Sequence, residues 1–385
     1  MKKITLCLAL AVCLSGLLLL PGCGQGSSPS DESESGTELS AAADTLSEDS
    51  SEESEIAGSV TEVTEPEILT LTITATGDCT LGVTQDQSYE GSFNEYYNAR
   101  GEDYFFDDVR SIFEADDFTL INLECVLTTA TERVEKTFNL KGAPEYVGIL
   151  TGSPVEAASM GNNHTYDYGE EGFQETKQVL EEAGITYAYS DQSGTYVTDD
   201  GVTVGMVSAN LLSQSEEKLY ALKEQIAALR EEGADVIIAC CHWGIEKDYY
   251  PNDYQQTTAH ELIDAGADLV IGNHPHVLQG VEVYEGKVIC YSLGNFCFGG
   301  NKNPSDKNTM IFQQTFTIAD GVVQMDEIDA NMIPCRVSSA NGYNDYQPTV
   351  AEGDTKQNII SLVNEYSSPL GNVSFDEEGT LLYSE

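Results

Sequence analysis

The stretch Asp235-Val236-Ile237-Ile238-Ala239-Cys240-Cys241-His242 constrains this chain more than any other. An unbroken apolar run of this length cannot alternate between core and solvent. A strand built from it must be covered on both faces. Residues 215–232 precede it with strong helical character, and Gly233 lies just past their end. Residues 254–265 follow as a second helix, closed by Gly266. A doubly buried strand between two helices belongs to a layered α/β domain.

The flanking sequence adds more strands than such a unit needs. Residues 68–78 alternate apolar and polar up to Gly77. Residues 118–124, 187–189, 202–208, 268–272, 287–292 and 310–318 also read as strands, and a turn at Asp320-Gly321 leads to a hairpin partner. Residues 170–183 read as a helix ending at Gly184, and residues 107–116 carry apolar positions at helical spacing. Several strands lack an intervening helix. The expected fold is therefore α/β, with two packed sheets flanked by helices. This domain is expected over residues 67–334. Residues 335–385 are polar and weakly patterned, and are expected to form a C-terminal extension that wraps the domain or stays partly mobile.

The N-terminus carries an address. Lys2 and Lys3 precede an apolar run from Ile4 to Leu20, which ends in Leu20-Pro21-Gly22-Cys23. A basic start, an apolar stretch and a small-residue site form a secretory signal. A Cys directly after that site resembles a bacterial lipobox. The expectation is a signal peptide over residues 1–22, lipidation at Cys23 and an extracytoplasmic, membrane-anchored lipoprotein. The alternative is a transmembrane anchor, although the run of about 17 residues falls short of the roughly 20 that span a bilayer. Residues 24–66 hold twelve acidic residues and no basic one. They cannot bury enough apolar surface to fold, so residues 23–66 are expected to act as an acidic, disordered tether.

Charge narrows the partners. A net charge of −48 excludes nucleic acid as a partner, which calls for Lys/Arg patches. An acidic exterior also repels polyanions at long range, so a polyanionic substrate needs local counter-charge, such as metal ions. Ten cysteines occur, and Cys7, Cys13 and Cys23 fall in the leader and anchor. The odd remainder (Cys79, Cys125, Cys240, Cys241, Cys290, Cys297 and Cys335) lies mostly in apolar runs, without a Cys-x-x-Cys spacing. Buried free thiols are expected rather than a zinc site.

Only five histidines occur, and their positions matter. His164, His242, His274 and His276 fall at or just after the ends of expected strands, where ligands bind in α/β sheets. His260 lies within a helix and is expected to be structural. Asp78 and Glu124 end the first two strands. The elements run in order as Gly77-Asp78, Asn122-Leu123-Glu124, Asn162-Asn163-His164, His242-Trp243-Gly244 and His274-Pro275-His276. Imidazole and carboxylate together suit manganese, zinc or iron. His274 and His276 would point the same way if the segment were extended.

This order resembles the calcineurin-like metallophosphoesterase superfamily. The finer wording resembles its CapA-type capsule synthesis proteins: Asn162-Asn163-His164 with Asp167 and Gly169, His242-Trp243-Gly244 with Glu246, and Tyr291-Ser292-Leu293-Gly294-Asn295-Phe296. The resemblance covers roughly residues 68–330 and implies a four-layer, metallophosphatase-like sandwich. It implies one or two divalent metal ions. Asp78 and His276 would hold one, Asn163, His242 and His274 the other, and Glu124 would bridge. His164 would be the general acid or transition-state stabiliser, with Asp167 orienting it. Asn295 and Tyr291 would line the substrate site. Where the superfamily usually has His two residues after the first Asp, this chain has Thr80. The implied role is capsule or poly-γ-glutamate synthesis at the cell surface. Its partners would be an anionic surface polymer or precursor, the membrane, and capsule-synthesis membrane proteins. A non-catalytic scaffold in polymer export and an amide hydrolase trimming the polymer remain alternatives.

Overall fold

A computed structural model describes residues 68–324, 327–371 and 373–384. The expected leader, the lipidation site Cys23 and the acidic tether lie outside these residues.

Two sheets form the body. The first contains β1 (Ile68–Thr80), β2 (Phe118–Leu123), β3 (Ala157–Ser159) and β4 (Thr186–Ala188). The second contains β5 (Gly194–Val197), β6 (Thr203–Asn210), β7 (Val236–His242), β8 (Leu269–Asn273), β9 (Val281–Tyr284) and β10 (Lys287–Cys290). The chain then returns to the first sheet with β11 (Asn295–Phe298), β12 (Asn308–Ala319), β13 (Asp329–Arg336) and β14 (Thr349–Val350). The first sheet runs in the order β14-β13-β12-β1-β2-β3-β4, with β11 also beside β1. The second runs β9-β10-β8-β7-β6-β5.

Residue alternation assigns the layers. Val236, Ile238 and Cys240 of β7 face an inter-sheet core that also holds Leu71, Ile73 and Ala75 of β1. Ile237, Ala239 and Cys241 of β7 face the opposite way. There they meet Leu222 and Ile226 of α3 (Glu216–Glu231) and Leu262 of α4 (Asp253–Asp264). The outer face of the first sheet presents Ile121 and Leu123. It is covered by Phe93 of α1 (Phe93–Arg100) and by Phe173 and Leu180 of α2 (Gly169–Ala183). The result is the α/β two-sheet sandwich flanked by helices that the sequence predicts. All seven cysteines among the described residues are free and buried.

Local signals set the helix ends. Ser215 caps α3 by accepting from Lys218 N, and Asn252 with Gln255 forms a capping box on α4. Gly184 ends α2 at φ 74°. Residues 107–116 give one turn only, Arg110–Phe113, because Phe106, Val109 and Phe113 reach the core from a series of turns.

Beyond residue 335, the weakly patterned segment carries α5 (Gly353–Ser367) and a hairpin of β15 (Val373–Phe375) and β16 (Leu381–Tyr383). Ile359, Ile360, Val363 and Tyr366 lie on one helical stripe and join the inter-sheet core with Val373, Phe375 and Leu381. Ile359 is wholly buried, so Ile359→Ala should cost about 2–5 kcal/mol, as cavity-forming core truncations do. A fall in the urea midpoint at unchanged slope is expected. A loss under 0.5 kcal/mol would mean that this segment does not close the core.

Candidate metal centre

Parallel strands of both sheets end at one edge. β1 pairs in parallel with β2 and β11, and β2 with β3. β7 pairs in parallel with β6 and β8. The sheets are tied near this edge by Ser159 Oγ and Ser208 Oγ, 2.7 Å apart. The expected ligand residues therefore converge from both sheets.

Two close approaches depend on glycine. A Cβ on Gly77 would lie 2.1 Å from the carbonyl oxygen of Gly294, and one on Gly272 would lie 2.0 Å from that of Tyr291. Without these side chains the neighbouring backbones come together, and Asp78 N donates to Gly294 O at 2.9 Å.

Glu124 lies at the middle of the site and is wholly buried. Neither carboxylate oxygen has a hydrogen-bond partner among the described residues. Its Oε1 is 3.5 Å from His242 Nε2, 3.8 Å from His276 Nε2 and 4.0 Å from His164 Nε2. His242 Nε2 is also 2.8 Å from Asn163 Oδ1 and 3.1 Å from His274 Nδ1. On the other side, Asp78 Oδ2 is 3.0 Å from His276 Nδ1. Asp78 Oδ1 accepts from Asn122 Nδ2 at 2.7 Å, and Asn162 Nδ2 donates to Leu123 O at 2.9 Å.

The loop carrying the last two histidines is not extended. His274 has φ 97° and His276 φ 57°, left-handed values that residues with a Cβ resist. The period-two expectation for this pair is thus corrected. The rings still reach the centre, with centroids 5.8 Å apart, through loop geometry rather than strand pleat.

Electrostatics follow from burial and crowding. Burial, then the Asp78 carboxylate, pushes Glu124 well above the usual carboxylate range. Burial and the neighbouring His276 ring lower His274 to about 4. Burial and the His274 ring take His242 well below its usual value. Burial also acts downward on His276, but Glu124 and Asp78 outweigh it and lift this ring to about 10. The downward shifts at His242 and His274 favour the neutral ring, the form in which imidazole ligates.

Two overlapping sets offer ligand atoms within 4.8 Å of one another: Glu124 with His274 and His276, and Asp78 with Glu124 and His242. They share Glu124 and cut across the two-metal partition that the resemblance implies. Orphaned carboxylate oxygens facing ring nitrogens are a donor set that fits a divalent cation.

His164 and Asp167 stand beside this set. His164 Nδ1 is 2.6 Å from Asp167 Oδ2. Asn295 is in register with Asp78 across β1 and β11 and lines the cleft that adjoins the centre. That cleft of about 260 Å³ is also lined by His164, His276, Phe138, Phe298 and Glu246. Tyr291 is not brought to it: its ring is wholly buried on the helix-covered face, and its hydroxyl donates to Glu282 at 2.6 Å. His260 meets the other oxygen of Glu282 at 2.9 Å and stacks on Tyr284.

Lys136 escapes the sequence reading. Its Nζ donates to Asp167 Oδ1 at 2.7 Å and to Asn163 O at 2.9 Å, and lies 3.3 Å from His164 Nδ1. It comes from a loop without periodic pattern, where only the scarcity of basic residues offered a signal.

The family described as "Bacterial capsule synthesis protein PGA_cap" matches residues 72–300. The chain is 34% identical over 222 residues to the "PGA biosynthesis protein CapA" of Bacillus subtilis, covering 52% of this chain and 58% of that protein. It is 28% identical over 253 residues to the "Capsule biosynthesis protein CapA" of Bacillus anthracis, covering 59% and 60%. These matches thus span about three-fifths of each relative's length. A hypothetical protein from Thermus thermophilus aligns with 69% of this chain and 99% of its own at 15% identity and TM-score 0.44. With the family match covering more than half of its length, the chain belongs to the bacterial capsule synthesis protein PGA_cap family.

Proposed function

We propose that this chain acts at the cell surface in capsule or poly-γ-glutamate synthesis or processing, through a metal-dependent, hydrolase-like site. The observation that carries the reading is Glu124: a buried carboxylate with no hydrogen bond among the described residues, aimed at three histidine rings. Family membership and the names of the Bacillus relatives support the polymer assignment. The N-terminal lipobox-like pattern supports a lipoprotein anchored at Cys23, with the membrane and capsule-synthesis membrane proteins as partners.

In this reading Asp78 and His276 would hold one divalent cation, Asn163, His242 and His274 would hold another, and Glu124 would be shared between them. Manganese, zinc and iron all suit the donor set. A cation held there supplies Lewis acidity at a substrate oxygen. The protein's residues supply position and proton movement. His164 presents Nε2 to the centre while Asp167 holds Nδ1. Lys136 and Leu140 N, which donates at 2.5 Å, fix Asp167 in turn. Lys247, which lines the cleft, also gives an anionic polymer local counter-charge against an acidic exterior.

One observation favours a scaffold reading instead. Thr80 stands where the superfamily carries a ligand histidine, and its hydroxyl donates to Glu124 O at 3.2 Å. Turnover of phosphomonoesters and phosphodiesters with added manganese, beside chain-length analysis of incubated poly-γ-glutamate, separates the readings. Polymer binding without turnover of either substrate class would favour the scaffold.

Purified protein should contain metal by elemental analysis. His242→Ala, His274→Ala and Glu124→Ala should each lower that content, and unchanged content in all three would sink the site. Lys136→Met strips an ionic partner from Asp167, whose side chain is 1% exposed. It should cost about 1–3 kcal/mol, the usual penalty for a buried group left unsatisfied. A denaturation midpoint equal to that of the wild type would remove Lys136 from the assembly.

A further inference from the structure

The two sides of the centre are unequally furnished. Asn163, His242 and His274 crowd one side, while Asp78 and His276 serve the other. Thr80 adds nothing to the poorer side, because its hydroxyl is committed to the Glu124 carbonyl. Asn295 is the neighbour with an atom to offer.

Asp78 is in register with Asn122 on one flank and with Asn295 on the other. Residues in register on adjacent strands share a sheet face. The Asn122–Asp78 hydrogen bond shows that this holds on the first flank. Asn295 is 4% exposed and lines the cleft together with His276. Its Nδ2 donates to His276 O at 3.1 Å. That bond fixes the hand of the amide, since exchanging its ends would set two oxygens against each other. Its Oδ1 is left buried and without a hydrogen-bond partner among the described residues. Such an atom calls for a donor or a cation.

We infer that Asn295 Oδ1 is a metal ligand on the Asp78–His276 side, standing in for the histidine that Thr80 replaces. The inference rests on the metal-site reading above. Asn163 gives the precedent within the same centre, as an amide oxygen directed at His242 Nε2. The substitution has a chemical consequence. Carboxylates of Asp78 and Glu124, the amide of Asn295 and one imidazole make an oxygen-rich set, which suits manganese over zinc. The Asn163 side, with two imidazoles, suits zinc or iron. The two positions therefore differ in the metal they select.

The test uses the purified full-length chain loaded with manganese, read by elemental analysis and by electron paramagnetic resonance. Wild type should hold two equivalents and show an exchange-coupled spectrum. Asn295→Ala should lose the second equivalent, weaken it at least about tenfold, and show isolated manganese. Asn295→Asp keeps an oxygen there and should hold both. Circular dichroism confirms folding. If Asn295→Ala does not fold, Asn295→Asp decides, and loss of an equivalent from folded Asn295→Asp overturns the inference. Retention of the wild-type count and affinity by folded Asn295→Ala overturns it as well, while leaving the metal site standing. A wild type that binds no metal at all defeats the metal-site reading itself, and this inference with it.

Discussion

A carboxylate buried in protein without a hydrogen bond is unfavourable by several kcal/mol unless it becomes neutral or meets a positive charge. Glu124 is held in that position, and much of the surrounding structure keeps it there. Cys79 O accepts from Glu124 N at 2.8 Å, Thr80 binds its carbonyl oxygen, and Asn162 secures the preceding residue. The backbone groups at Glu124 are satisfied while its carboxylate oxygens are left free of hydrogen bonds among the described residues. A fold selected for stability alone would place a hydrogen-bond donor there.

The two-sheet sandwich explains how such a point arises. Within one sheet, adjacent strand ends lie about 4.8 Å apart, so three neighbouring ends spread over roughly 10 Å. Facing a second sheet whose parallel strands end at the same edge folds that row into a cluster. Asp78 and Glu124 come from the first sheet, and His242, His274 and His276 from the second. The Ser159–Ser208 contact fastens the sheets beside the centre.

Much of this was legible because period and position carry physical meaning. The unbroken run at residues 236–241 demanded cover on both faces, and it received the inter-sheet core on one side and the helices on the other. Strand-end Asp, Glu and His residues had to share an edge once the strands were parallel. Other parts were hidden for definite reasons. The stripe of Ile359, Ile360, Val363 and Tyr366 sits in a polar helix whose apolar partners lie on distant strands and on the hairpin after residue 372, so the stripe does not look like core alone. Tyr291 and Asn295 share one short motif, yet a turn at Gly294 sends the first ring to the helix-covered face and the second side chain to the cleft. Lys136 reaches Asp167 from an irregular loop, and spacing does not say where a loop's tip will land.

The left-handed backbone at His274 and His276 bears on how the site meets its ligand. Each such residue holds conformational energy of order 1–3 kcal/mol, and a free loop would release it by swinging the rings apart. Here the loop is clasped from both sides, by Lys247 N to Pro275 O at 2.8 Å and by Asn295 Nδ2 to His276 O. Pro275 between the two histidines removes further backbone freedom. The cost of assembling the centre is therefore met during folding. In the proposed metal-site reading, an arriving cation would find a seat of fixed dimensions, and discrimination among ions would rest on size and donor type rather than on a loop that closes to suit each of them.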